Sequence, residues 1–299
     1  MPEPPSPRIA PGLRRSWLFV AGADAAAQDA AIASGADVVI QDLEDFTPPG
    51  RRAQARALAA ALYAKVRAAG ALAAVRVNPL EAGGRDDLAQ VVSGRPDIVL
   101  LPKTVAAAQV AALDAAVAEA EARHGIPRGA TELVPNVETA AGLVETLGIA
   151  RASPRVTACL VAAEDMAADL GAERRPDGEE LLYARSRFLV ECRAAGVEAV
   201  DCPYTFADAA GAEREARFAR RLGYRCKSLV RPDHAQAVNR ALTPSAEETE
   251  HARRIVRAFE AARARGEDRA LVDGAWIEVP GYLTAKRLIA RAEEFAKRC

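Results

Sequence analysis

Aromatic residues make up only 5% of this sequence. A sugar-binding cleft is usually rich in aromatic side chains, so this scarcity argues against reading pairs of carboxylates as a glycosidase acid and base. Cysteines, at positions 159, 192, 202, 226 and 299, form no CxxC pair, and the histidines, at 124, 234 and 251, lack metal-ligand spacing. Neither a zinc site nor a disulfide framework is expected; the pattern suits reduced thiols in the cytoplasm. An excess of one charge is missing too. Lys and Arg number 40 against 41 Asp and Glu, a formal net charge of -1, which is not the basic surplus of a nucleic-acid binder. An anionic small substrate stays open, because a few placed arginines suffice. The proline-rich start, residues 1–12, has no basic stretch followed by an apolar one, so it reads as a loose arm and not a signal peptide. No apolar run is long enough to cross a membrane.

What is present is a regular alternation. Short β-rich apolar runs at 16–20, 38–41, 73–77, 98–101, 132–137, 156–163, 199–203 and 227–230 alternate with alanine-rich, charged helical stretches. Those stretches fall near 24–34, 50–69, 86–92, 105–123, 140–147, the region up to 195 with a break at 174–178, 207–222 and 232–241. Runs such as VVI and IVLL are apolar throughout, as in strands buried on both faces of a parallel sheet covered by helices. Eight such units favour a closed (β/α)8 TIM barrel over 13–242. A doubly wound sheet usually opens on a Gly-rich turn, but here the first turn reads AGAD. Residues 243–299 break the repeat. They predict a C-terminal helical extension, a lid or an oligomerisation arm: a polar helix over 244–265 with Thr243 as N-cap and Pro244 first inside, a break at Gly266, a strand-like piece at 270–279, and a last helix after Pro280.

Catalytic groups of such a barrel lie at the C-terminal ends of its strands. Strand 2 brings Asp42, Glu44 and Asp45 there, more acids than the capping of one helix explains. Strand 3 brings Arg76 and Asn78; Arg76, alternating with Val75 and Val77, can face the barrel interior. It could form a structural ion pair with the nearby acids, grip a substrate carboxylate or oxyanion, or do both. Strand 4 brings Lys103, open to Schiff-base chemistry, to pairing with Glu138 or to substrate contact. Strand 5 brings Asn136 and Glu138, and strand 6 brings Glu164 and Asp165. Two carboxylates from neighbouring strands suit a hard cation such as Mg2+, which fills its shell with waters and substrate oxygens. The bland alternative is that each acid only opens the helix that follows.

The ordered set RRSWLFVAG, QDLED, RVNP, LLPK, NVETAAG, AAEDMAADLG and TPSAEE resembles the citrate lyase β-subunit-like family of the HpcH/HpaI aldolase superfamily, which includes malyl-CoA and citramalyl-CoA lyases. The likeness runs from Arg14 to about Leu288. It implies a (β/α)8 barrel that assembles into homo-oligomers, often trimers or hexamers. It implies Mg2+ held by Glu138 and Asp165, substrate contacts from Arg76 and Arg15, and support from Glu44. Lys103 is expected to join the substrate-binding set.

Four departures stand out. Ala21 replaces a proline of the LFVPG pattern, Ala162 stands where a glycine is common two positions before the glutamate of the ED pair, Val230-Arg231-Pro232 stands where many members read IHP, and Trp276-Ile277-Glu278 stands where they read MID. The aspartate of that last motif is the family's proposed acid/base, supplied from a neighbouring subunit, so Glu278 is the expected proton shuttle, one methylene longer. The activity implied is reversible cleavage of a 3-hydroxyacyl-CoA (malyl-, citramalyl- or citryl-type) into an acyl thioester and a 2-keto acid. Thioester hydrolysis on the same scaffold and a non-catalytic subunit of a citrate-lyase-like complex are the alternatives.

Overall fold

The computed structural model describes residues 9–298. Most of the expected N-terminal arm, and Cys299, lie outside them. The chain divides between Leu242 and Thr243 into two compact units.

In the first unit, β1 (Ser16–Ala21), β2 (Val38–Asp42), β3 (Leu72–Arg76), β4 (Ile98–Leu101), β5 (Glu132–Val137), β6 (Ala158–Val161), β7 (Glu198–Asp201) and β8 (Cys226–Leu229) pair in sequence order. Every pairing is parallel, and β1 also pairs β8, so the sheet closes. This is the expected (β/α)8 barrel. Outside it lie α1 (Ala25–Ala33), α2 (Arg52–Ala68), α3 (Gly84–Val91), α4 (Ala107–Arg123), α5 (Ala140–Val144), α6 (Thr146–Ala150), α7 (Glu164–Leu170), α8 (Leu182–Ala195), α9 (Ala209–Leu222) and α10 (Ala235–Leu242). The helical stretch expected at 140–147 is two short helices, because Glu145 leaves helical geometry between them. The strand expected at 156–163 is four residues long.

Strand alternation sorts the core into two layers. Trp17, Phe19, Val38, Ile40, Leu72, Ala74, Ile98, Leu100, Val134, Leu160 and Val200 fill the barrel interior. Their neighbours, such as Leu18, Val39, Val75 and Val99, meet the helices. The turn at Val92–Gly94, between α3 and β4, lies close against α2: a Cβ at Gly94 would stand 2.8 Å from the Ala60 backbone. Asp24 and Asp208 start α1 and α9 by accepting hydrogen bonds from the N–H groups of Ala27 and Gly211.

One outer layer is charged. Behind β7 and β8, Arg185 of α8 donates two hydrogen bonds to Asp201 and pairs Glu215 of α9, while buried Lys227 pairs both acids. Two cations and two acids thus neutralise each other out of water, an arrangement costly to break from one side. Lys227 also donates to the Cys202 carbonyl, and the Ser228 hydroxyl to that of Asp201, which fixes the ends of β7 and β8.

The second unit contains α11 (Ala246–Ala264), an antiparallel hairpin of β9 (Ala270–Val272) and β10 (Ala275–Ile277), and α12 (Val279–Ala296). The hairpin turns at Asp273 and Gly274, both with positive φ, +48° and +81°. Phe259 of α11 stacks on Tyr282 of α12 with ring centroids 4.7 Å apart. The N-cap of α11 is Ser245, not Thr243. Its hydroxyl accepts the Glu248 N–H, and Glu248 returns a bond to the Ser245 N–H, so Pro244 stays outside the helix. Among the described residues no helix is long and apolar enough to cross a membrane.

Candidate active site

Going up the barrel, the inward positions change from alkyl to charged. On β2, Val38 and Ile40 are followed by Asp42; on β3, Leu72 and Ala74 by Arg76; on β5, Val134 and Asn136 by Glu138. Asp42 and Arg76 are register partners. Arg76 Nε donates to Asp42 Oδ1 at 2.9 Å, and Nη2 donates to Oδ2. The remaining guanidinium edge meets Glu44 at 3.0 Å and Asp45 at 3.2 Å, and its face lies 5.0 Å from the Phe19 ring centroid. Asp42 also accepts the backbone N–H groups of Glu44 and Phe46, which curls the acidic loop around the arginine. Its acid neighbours hold the Arg76 guanidinium protonated, outweighing burial.

Lys103 closes the ring of charge. It adopts a left-handed backbone, φ +50°, which is unusual outside glycine, and its Nζ lies 2.6 Å from Glu44 Oε1. Burial pushes the Glu44 carboxyl up, against the pull of Arg76 and Lys103. The hydrogen bond to Glu44 pushes the Lys103 ammonium up.

Glu138 is the residue this frame leaves unsatisfied. It is 1% exposed, and neither carboxylate oxygen accepts a well-formed hydrogen bond. Arg76 Nη1 is 3.9 Å from Oε1, and the Lys103 backbone N–H is turned towards the carboxylate. Burial pushes its pKa up to about 7; Arg76 opposes the rise, and the charges of Asp165 and Glu44 add to it. The Asn136 Oδ1, one inward position below, is also buried without a partner. Asp165 lies in the first turn of α7, immediately after β6. Its neighbour Glu164 is tied off by the Thr205 hydroxyl at 2.6 Å and by Arg174 at 3.1 Å.

Arg76, Glu138 and Asp165 line one cavity of about 320 Å³ at the C-terminal mouth of the barrel. Phe19, Leu160, Ala163, Pro203 and Val230 make its apolar wall. No three His, Cys, Asp or Glu side chains gather into a ready-made metal cage among the described residues. A hard cation that completes its shell with substrate oxygens and water needs only two carboxylates, and Glu138, whose oxygens accept no well-formed hydrogen bond, beside Asp165 fits that demand.

The structure thus gathers Arg76, Glu44, Lys103, Glu138 and Asp165. It does not bring Arg15 to them. Arg15 precedes β1 and is therefore at the N-terminal end of the barrel, where its Nε lies 2.8 Å from Asp37, the residue before β2. There it ties the start of β1 to the start of β2. Glu278 belongs to the second unit, where it is exposed and precedes α12. Lys103 turns its ammonium to Glu44, the pairing the sequence had suggested for Glu138. The sequence reading missed the apolar wall. Phe19 was within reach of it, being two residues after the inward Trp17; Pro203 and Val230 stand in loops whose direction no periodicity gives.

Comparison with known proteins agrees with this geometry. The family model described as HpcH/HpaI aldolase/citrate lyase matches residues 15–232. The citrate lyase subunit beta of Escherichia coli (strain K12) is 36% identical over 287 residues, 94% of this chain and 93% of that one. A (3S)-malyl-CoA thioesterase of Cereibacter sphaeroides is 31% identical over 290 residues, 94% of this chain and 95% of that one. Among solved structures, the protein CitE from Mycobacterium tuberculosis in complex with magnesium, acetoacetate and coenzyme A aligns with a TM-score of 0.75 and 28% identity, covering 93% of this chain and 98% of that one. With the barrel, the strand-end charges and these likenesses together, the chain belongs to the HpcH/HpaI aldolase/citrate lyase family.

Proposed function

We propose that this protein is a Mg2+-dependent carbon–carbon lyase that cleaves, or in reverse forms, a 3-hydroxyacyl-CoA, giving an acyl-CoA and a 2-keto acid. The observation that carries this reading is Glu138: a buried carboxylate neither of whose oxygens accepts a well-formed hydrogen bond, beside Asp165 and within 3.9 Å of Arg76. Glu138 and Asp165 are the residues to hold the ion. Bound there, Mg2+ supplies Lewis acidity, polarising a carbonyl oxygen and easing loss of a hydroxyl proton.

The chain's own groups do the rest. In cleavage the substrate hydroxyl gives up its proton to a base. The electron pair of the carbon–carbon bond passes to the α-carbon of the thioester fragment. That enolate then takes up a proton and leaves as the acyl thioester. Arg76, pinned by Asp42, presents a fixed positive charge to the developing oxyanion, a contact of a kind commonly worth about 3 kcal/mol in barrier. Proton transfer is assigned to Glu278. The use of CoA is supported by the relatives, one named for malyl-CoA and one solved with coenzyme A. A homo-oligomer, trimer or hexamer, working in the cytoplasm completes the reading.

The test is turnover. Full-length protein with Mg2+ and a panel of malyl-, citramalyl- and citryl-CoA should release free keto acid. The second reading, thioester hydrolysis, is favoured by the malyl-CoA thioesterase relative. It predicts free thiol without keto acid. Activity only in the presence of co-purifying partner chains would point to a subunit of a citrate-lyase-like complex instead.

A further inference from the structure

We infer that Asn136 is a positioning residue for the ion: its amide oxygen accepts a hydrogen bond from a water that the cation keeps when Glu138 and Asp165 hold it. This rests on the reading above that those two carboxylates bind Mg2+. It concerns the ion before any substrate arrives.

Asn136 stands on β5 one inward position below Glu138 and is 1% exposed. Its register partner is Leu160 of β6, the strand that leads into α7 and Asp165. Its side chain lines the same cavity as both carboxylates. Yet its Oδ1 is buried and accepts no hydrogen bond. A buried acceptor left without a donor is a cost that something else in the molecule's life has to justify.

The side chains around the cavity do not supply that donor. Among the described residues that line it, those with a donor besides Asn136 are Arg76, Thr205 and Ser228. Arg76 is engaged by Asp42, Glu44 and Asp45. The Thr205 hydroxyl donates to Glu164 at 2.6 Å, and the Ser228 hydroxyl donates to the Asp201 carbonyl at 2.8 Å. The donor therefore comes with what the cavity binds. A hydrated divalent cation brings one, since Mg2+ keeps several of its waters and a water on such an ion is a strong donor. The unfilled Glu138 oxygens and the unfilled Asn136 oxygen, on successive inward positions of one strand, then answer to one ligand. A group that holds part of an ion's shell in place commonly changes affinity by roughly 10- to 100-fold.

Calorimetric titration of Mg2+ into the full-length protein, without keto acid, tests this. Asn136→Leu keeps a branched side chain and removes the acceptor. It should raise the Mg2+ Kd by about tenfold or more, while its urea midpoint in EDTA equals or exceeds that of wild type, because the orphaned oxygen is gone. Asn136→Asp keeps an acceptor in the same place and should bind Mg2+ at least as tightly as wild type; this arm stands by itself if the leucine variant does not fold. A role in packing alone would move the midpoint and not the Kd. An unchanged Kd in the leucine variant, or an aspartate variant weaker than wild type by tenfold, would overturn the inference and leave Mg2+ on Glu138 and Asp165 standing. So would a loss seen only with pyruvate present, which would make Asn136 a substrate contact. A wild type that binds no Mg2+ would overturn both readings.

Discussion

Arg76 and Asp42 face each other on adjacent strands and share two hydrogen bonds inside the barrel mouth. The pair sets the geometry of the site. It aims the guanidinium along the rim towards Glu44 and Glu138. Removing one partner strands the other charge out of water. Asp42→Asn should therefore lower stability by about 3 kcal/mol, read from urea unfolding. It should also reduce kcat by about a hundredfold, because the arginine loses its anchor. A variant of unchanged stability and activity would show that Glu44 and Asp45 suffice.

Lys103 allows the backbone and the ammonium to be tested separately. Its φ of +50° suits glycine and penalises alanine. Lys103→Gly should be more stable to unfolding than Lys103→Ala by about 1 kcal/mol, although neither carries the charge. Both should lose activity alike if the ammonium acts by holding Glu44. Activity retained by the glycine variant alone would place the role in the backbone N–H that faces Glu138.

Glu138 gives the metal-free protein a pH dependence of definite sign. Its folded pKa of about 7 lies above the ordinary 4.5. The folded state thus holds the proton more tightly than the unfolded state. Stability is fully present below 4.5 and falls as pH rises towards 7, by up to about 3 kcal/mol. Urea midpoints of wild type and Glu138→Gln in EDTA, from pH 4.5 to 7.5, should converge at the acid end and part at the neutral end, with the variant the more stable. Parallel curves would contradict it.

The buried quartet behind β7 and β8 should behave as a structural unit. Arg185→Met leaves Asp201 and Glu215 facing Lys227 alone and should cost about 3–5 kcal/mol. The loss should appear in unfolding curves, with Mg2+ affinity unchanged in the molecules that remain folded.

Glu278 is tested by shape and charge. Glu278→Gln should cut kcat by 100-fold or more, with Mg2+ and keto-acid binding intact, if it shuttles the proton. Glu278→Asp should retain most of the rate. Full activity in the glutamine variant would remove it from the mechanism.

Much of this architecture could be read in the chain because strand burial writes itself into composition. Runs such as Ile98–Leu101 are apolar on both faces, and eight of them in parallel order leave few folds open. Residue parity allowed Arg76 an inward place, opposite Val75 and Val77; the structure shows Glu138 continuing an inward series of the same kind after Val134 and Asn136. Strand direction also decides which end a neighbour occupies, which is why Arg15, preceding β1, cannot reach Glu138 within the barrel. Loop conformation was not legible. Nothing periodic reveals that Asp42 would turn back to receive the Phe46 N–H, or that Thr205 would reach Glu164 across two elements. The α11 start was misplaced by one such local choice: the reciprocal bonds of Ser245 and Glu248 outcompete Thr243.

The most direct measurement is Mg2+ binding by calorimetry, with and without pyruvate, on wild type and on the Glu138→Gln, Asp165→Asn double variant. Wild type should bind one Mg2+ per chain, more tightly with pyruvate present, and the double variant should bind neither ion nor keto acid. Undiminished Mg2+ and pyruvate binding by a folded double variant would contradict the account at its centre.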